Sequence, residues 1–195
     1  MRTRSVPVTL TAVLAATPAL AHTGQELGGL ASGLMHPIGG FDHLEAMLAV
    51  GLWAGLVGGA PRWLWPASFV AAMVFGAAVG WSGVAFPAVE TAIAASVLVL
   101  GGAIAAGWSP AVAVGALLIA AFGLTHGYVH GAEMPGDSFL SGYAAGFVAG
   151  TTLLHGLGLA LASALAAFGA RKASRVAGGA LASFGLVLLA GTLAG

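Results

Sequence analysis

Cysteine is absent from this 195-residue chain, which removes disulfides, thiolate metal sites and cysteine nucleophiles together. Charge is nearly as scarce. Only 6% of residues are charged, and six basic and six acidic side chains cancel to a formal net charge of zero. No broad basic surface is therefore available for nucleic acid. What fills the chain is apolar: 59% hydrophobic residues and 32 glycines, with a mean hydropathy of +1.00. That composition belongs in lipid and describes an integral membrane protein.

Arg2 and Arg4 precede an apolar segment from Val6 to Ala16, and Thr17-Pro18-Ala19-Leu20-Ala21 places small residues at a cleavage position. Residues 1–21 read as a cleavable signal peptide, which leaves 22–195 as a single transmembrane domain starting at His22. An uncleaved first span is the weaker reading, because the segment is short and contains Pro7. At roughly 20 apolar residues per crossing, the remainder divides near 41–59, 64–82, 88–106, 110–129, 139–168 and 175–194. Glycine- and proline-marked links separate these segments. The expected fold is all-α, a compact bundle of about six transmembrane helices.

A cleaved signal puts the mature N-terminus outside, which fixes the side of every later loop. Arg62 then falls in the first loop and Arg171, Lys172 and Arg175 in the fifth, both cytoplasmic, as the positive-inside rule requires. The acids and most histidines segregate to the other face: His22, Glu26, His36, Asp42, His43, Glu45, Glu90, His126, His130, Glu133 and Asp137. His155 is the exception, in the middle of the long fifth segment. An outer collecting site with a deeper group below it is the pattern these positions imply, since ionisable groups within a membrane are costly and mark function.

Two stretches concentrate the chemistry. In His36-Pro37-Ile38-Gly39-Gly40-Phe41-Asp42-His43-Leu44-Glu45, the proline and glycines predict a bent, non-helical approach that carries His36, with the first span beginning at Asp42. Helical spacing then sets Glu45 one turn after Asp42 and Met47 one turn after His43. Asp42-x-x-Glu45 also has the spacing of a capping pair, and for Glu45 both readings stand. In the second stretch, His126-Gly127-Tyr128-Val129-His130-Gly131-Ala132-Glu133, three ligand-type residues can share one helix face. An i,i+4 histidine pair is a common metal geometry, but the glutamate of a hydrolytic zinc helix is missing.

Glu90 opens the third span as either a helix N-terminal acid or a counter-charge facing the bundle. His155 is either a satisfied interhelical histidine or a pathway ligand. The tryptophans Trp53, Trp63, Trp65, Trp81 and Trp108 read as interfacial anchors. Glycines at four-residue spacing, such as Gly142, Gly146 and Gly150, predict close helix contacts. Imidazole and carboxylate without thiolate suit Ni²⁺, Co²⁺, Mn²⁺ or Zn²⁺, and residue types alone do not order them.

His36-Pro37 with Gly39, Asp42-His43, Met47 and Val50-Gly51, followed by the His126 to Glu133 stretch, resemble the HupE/UreJ family of nickel and cobalt permeases. The resemblance runs over nearly the whole chain, from the signal peptide and His22-Thr23-Gly24 through Gly146-Phe147 to His155. It implies a permease, not an enzyme, that takes up Ni²⁺, or else Co²⁺, as its transported ion across a bacterial inner membrane. The uptake would supply hydrogenase or urease. It also implies His36, Asp42, His43, His130 and Glu133 as ion-handling positions, with His126 beside them and Glu90 less directly supported. Glu45 stands where an apolar residue is expected.

The combined expectation is a multi-pass permease with a periplasmic mature N-terminus, in which the first and fourth spans bring their outer ends together. The ion would pass inward by way of His155. Ligands must be deprotonated, so uptake should fall between about pH 7.5 and about pH 5.5 as imidazoles protonate. Two alternatives differ in class: a haem-binding membrane oxidoreductase, which acids beside most histidines disfavour, and a metallochaperone or sensor that binds without transport. A serine protease built on Ser82 is remote, because no histidine is spaced to activate it.

Overall fold

The computed structural model of the protein describes residues 29–134 and 140–194. The expected signal peptide, His22, Glu26 and Asp137 lie outside the described residues. Among the described residues the regular elements are all helices: α1 (Gly29–Gly39), α2 (Phe41–Val57), α3 (Pro61–Trp81), α4 (Val89–Ala106), α5 (Val112–Ala132), α6 (Leu140–Ala167) and α7 (Arg171–Ala194). Five of them, α3 to α7, are long and apolar enough to cross a membrane. The first expected span corresponds to α2, which at 17 residues is about 26 Å long at 1.5 Å per residue.

Local chemistry accounts for the ends of these helices. Pro61 opens α3 at its first turn, where a missing N–H costs nothing and the fixed φ suits a helix. Gly107 closes α4 in the left-handed region at φ 64 and returns its N–H to Ala103 and Ile104 carbonyls, a conformation that glycine reaches without a Cβ penalty.

One element departs from expectation. The stretch before Gly40 is helical, and α1 carries both His36 and Pro37 inside it. Proline is tolerated there because it stands near the end of a short helix, where only one backbone bond is forfeited. The chain breaks at Gly40, which is extended at φ −114 and ψ 125, and restarts as α2. Both pieces lie against the 28-residue α6. Gly33 meets the backbone at Tyr143 and Phe147, Gly146 meets Leu30 and Leu34, Gly51 meets His155, and Gly158 meets Leu48 and Leu52. α1 and α2 thus form a broken helix alongside a continuous one.

Glycine sets the closest approach elsewhere too. On α5, Gly123, Gly127 and Gly131 face the carbonyls of Phe69, Met73 and Ala77 on α3, and α3 returns Gly76 and Gly80 to Leu124 and Tyr128. Backbone-to-backbone contact of this kind is how helices associate in lipid, where no hydrophobic force separates protein from solvent. α4 and α7 repeat the arrangement through Gly101, Gly178 and Gly185.

Trp53 and Trp65 correct the reading of tryptophans as interfacial anchors. Both are fully buried, with ring centroids 4.6 Å apart. Trp53 Nε1 donates to the Trp108 carbonyl at 2.8 Å and Trp65 Nε1 to the Val112 carbonyl at 2.9 Å. The Trp53 indole finds its acceptor in the α4–α5 link and the Trp65 indole at the first residue of α5, so each polar tip is buried with a partner. Trp63, Trp81 and Trp108 are exposed, as anchors are.

Candidate functional site

The site gathers at the end of the bundle where α1 stops, α2 starts and α5 finishes. The break at Gly40 turns the end of α1 toward α5. His36 Nε2 there lies 2.7 Å from His130 Nδ1, and His36, His130 and Glu133 offer ligand atoms all within 4.8 Å of one another. Glu133 is the residue at which α5 ends. It is exposed, yet partial withdrawal from water holds its carboxyl above the ordinary glutamate range. Glu90 and Asp42 push the same way, and His43 opposes them.

Below this trio the rings continue as a ladder. The centroid of His130 is 4.4 Å from that of His43, and His43 is 5.1 Å from His126. Phe69 comes next, 5.6 Å from His126 and 5.0 Å from His155. His126, His130 and His155 are buried to 3% exposure or less. The i,i+4 spacing within α5 puts His126 and His130 on one face, and α2 presents His43 to both.

The hydrogen bonds fix which nitrogen is free. His43 Nδ1 donates to Asp42 Oδ1 at 2.8 Å, His126 Nδ1 to the Phe122 carbonyl at 2.9 Å, and His155 Nδ1 to the Met47 carbonyl at 2.8 Å. A carboxylate or carbonyl oxygen only accepts, so each of these Nδ1 atoms carries the proton and each Nε2 carries a lone pair. The Nε2 atoms of His43, His126, His130 and His155 are all buried without a partner. An unmade bond at a buried polar atom costs about 1–3 kcal/mol. The three that carry lone pairs, on His43, His126 and His155, constitute a standing deficit that a cation passing them would relieve. Histidines that bind metals characteristically donate their other ring nitrogen to a carboxylate or carbonyl, as three of these do.

The remaining expected positions fall into place around this ladder. Asp42 accepts from both the backbone N–H and the ring of His43, so its evident role is to orient that imidazole. Glu45 is not a cap: Gly40 is the N-cap of α2 and no side chain bonds there. Instead, Glu45 Oε2 is buried and unpartnered. Glu90 stands exposed in the first turn of α4, outside the trio, where only its charge reaches Glu133. Met47 contributes its carbonyl to His155. The sequence offered no signal for Phe69, which sits on α3 in an apolar run, or for Tyr143, whose ring lies 5.5 Å from His36. Phe147 packs 4.3 Å from His130 and walls the site on the α6 side.

A mixed set of imidazole nitrogens and carboxylate oxygens, arranged around a mouth and leading inward past unpartnered Nε2 atoms, can strip water from a divalent cation and pass it along. Comparison with known proteins bears on which one. Residues 10–188 match the family described as HupE / UreJ protein. Over 191 residues the chain is 42% identical to the protein HupE of Rhizobium leguminosarum bv. viciae, covering 98% of this chain and 100% of that relative. No solved structure matches it significantly.

Proposed function

The chain belongs to the HupE / UreJ family, and from that premise we propose that it is a permease for divalent nickel, with cobalt as the second candidate. It works in the bacterial inner membrane and supplies a nickel enzyme such as hydrogenase or urease. The observation that carries the reading is the trio of His36, His130 and Glu133, whose ligand atoms converge from α1 and α5 to within 4.8 Å. Nitrogen ligands with one carboxylate suit nickel and cobalt and give a soft Cu(I) little.

The free protein holds a proton between His36 and His130 at the place where the ion would enter. Metal–imidazole bonds of about 2.0–2.1 Å at a right angle put two ligand nitrogens roughly 2.9 Å apart. The observed 2.7 Å is close to that separation, so the cation takes the shared position while the donor imidazole moves its proton to its other ring nitrogen, which leaves both rings as neutral ligands. Glu133 supplies the charge that offsets desolvation. Asp42 holds His43 in the tautomer whose Nε2 is free, and Glu45 adds a second carboxylate close below the mouth. His126 and then His155 receive the ion farther in, with Phe69 between them.

In this reading the membrane is crossed six times, the first crossing being the broken α1–α2 unit that lies along α6. A signal peptide over residues 1–21 would leave the mature N-terminus periplasmic and set the histidine mouth outside. The described basic residues support that orientation: Arg62, Arg171, Lys172 and Arg175 open α3 and α7 at the opposite end from Glu133.

The decisive experiment is ⁶³Ni uptake into liposomes containing the protein, with Co²⁺, Zn²⁺ and Mn²⁺ as competitors, for wild type and Asp42→Ala. Wild type is expected to accumulate nickel and the variant to lose most of it. Full uptake by Asp42→Ala removes the Asp42–His43 pair from the route, and full uptake by His130→Ala, run beside it, rejects the site. Metal binding without accumulation would favour a metallochaperone or sensor.

A further inference from the structure

The end of the bundle opposite the histidines holds a cavity of about 240 Å³ that the ion route does not use. It opens between the last turns of α2 and α4 and the first turn of α7. Trp53, Leu56 and Ile104 form its apolar side, Trp108 its rim, and Arg171 and Arg175 its charge. The floor is rigid: the Trp53 and Trp108 rings stack at 5.6 Å with 26° between their planes, and the bond from Trp53 Nε1 to the Trp108 carbonyl pins them.

Two arginines lining one cavity beside apolar side chains give it a net positive charge that an anion would complement. Among the described residues neither has an acidic partner. Arg171 takes part in the hydrogen-bond network through its carbonyl, to which Ser174 Oγ donates at 2.8 Å, and not through its guanidinium. Arg175 has a partial structural role, since its Nη2 lies 3.0 Å from where a Cβ on Gly107 would stand. There it faces the carbonyl end of α4 and complements that helix dipole. That role leaves Arg171 unexplained. The first N–H groups of α7 add to the attraction, because α7 begins at Arg171 and its opening turn has no helical acceptors.

We propose that this cavity binds the phosphate of an anionic phospholipid from the leaflet facing the basic end. Arginine pairs with phosphate through two parallel hydrogen bonds, and basic pockets between helices on the cytoplasmic side are suited to such headgroups. The apolar wall favours a lipid over free phosphate, since half-buried Leu56 and Val57 and exposed Trp108 line the cavity with surface that acyl or glycerol carbons would cover. A lipid seated here would tie α2, α4 and α7 together at the end where the ion leaves. The cavity lies wholly at the basic end and shares no residue with the histidine site, so it stands or falls separately from nickel transport.

The test is native mass spectrometry of the purified full-length protein released from an equimolar mixture of phosphatidylglycerol and phosphatidylcholine. Wild type is expected to retain phosphatidylglycerol with a preference of about tenfold or more. Arg171→Gln with Arg175→Gln should bring that preference close to parity, while Lys172→Gln, in the same turn but outside the cavity, should leave it intact. Arg171→Gln alone carries the test if the double variant fails to fold, because Arg171 supports no helix end. Equal retention of both lipids by wild type overturns the proposal, as does a preference that survives the arginine substitutions. Displacement of the retained lipid by millimolar inorganic phosphate assigns the cavity to a free anion and overturns the lipid reading.

Discussion

His36 Nε2 and His130 Nδ1 stand 2.7 Å apart although 94 positions separate them in the chain. Two neutral imidazoles at that distance share one proton, one nitrogen donating and the other accepting. A cation between the rings binds both nitrogens at once when the donor imidazole moves its proton to its other ring nitrogen. His36→Ala and His130→Ala should therefore not add. Each alone is expected to weaken nickel binding about 10–100-fold, and the double variant little more than either, leaving an interaction energy of about 0.5–3 kcal/mol. Titration calorimetry on the four proteins of the cycle measures it, and strict additivity would show that the two histidines serve separate sites.

His155 is separated from the outer rings by Phe69, with ring centroids at 5.0 Å. Binding and passage should accordingly part company. His155→Ala is expected to leave nickel affinity within about twofold, as for sites with no shared partner, while ⁶³Ni accumulation in liposomes drops severely. Uptake at the wild-type rate would remove His155 from the route.

Acid should close the mouth. Desolvation raises the Glu133 carboxyl above the ordinary glutamate range, so as pH falls it takes up a proton earlier than a solvated glutamate and the cation loses a charged ligand. Nickel uptake is expected to decline with falling pH. The midpoint should move to lower pH when nickel is raised, because metal and proton compete for one oxygen. Glu133→Gln should transport poorly and lose the upper part of this dependence. A midpoint indifferent to nickel concentration would detach the acid effect from Glu133.

The contact between α3 and α5 should not tolerate side chains. A Cβ on Gly127 would run into the Met73 carbonyl, and backbone cannot yield as a flexible side chain can. Gly127→Leu is expected to cost about 1–3 kcal/mol or more and to lower the thermal midpoint measured in detergent. Gly102→Leu serves as the control, since nothing lies within 4 Å of its Cβ position. Equal midpoints for the two would mean that helix contact at Gly127 is looser than the structure shows.

Hydropathy and local spacing made much of this protein legible from its residues. The apolar runs mark α3 to α7 within a few positions, since burial in lipid imposes one long apolar segment per crossing. The spacing of His126, His130 and Glu133 is a property of any α-helix and needed no tertiary knowledge. What depended on the fold was every relationship between helices. Pro37 suggested a bend where a helix continues, because one lost bond near a helix end is cheap and α6 supplies the packing. Trp53 and Trp65 sit in the core because acceptors from a distant segment meet their indoles. The tautomers of His43, His126 and His155, the proton between His36 and His130, and the position of Phe69 follow from how closely the glycine-faced helices approach. Composition alone decides the solvent in which a chain folds, and periodicity decides its helices. Which ring nitrogen is left free is settled only when another helix brings, or fails to bring, an acceptor within reach.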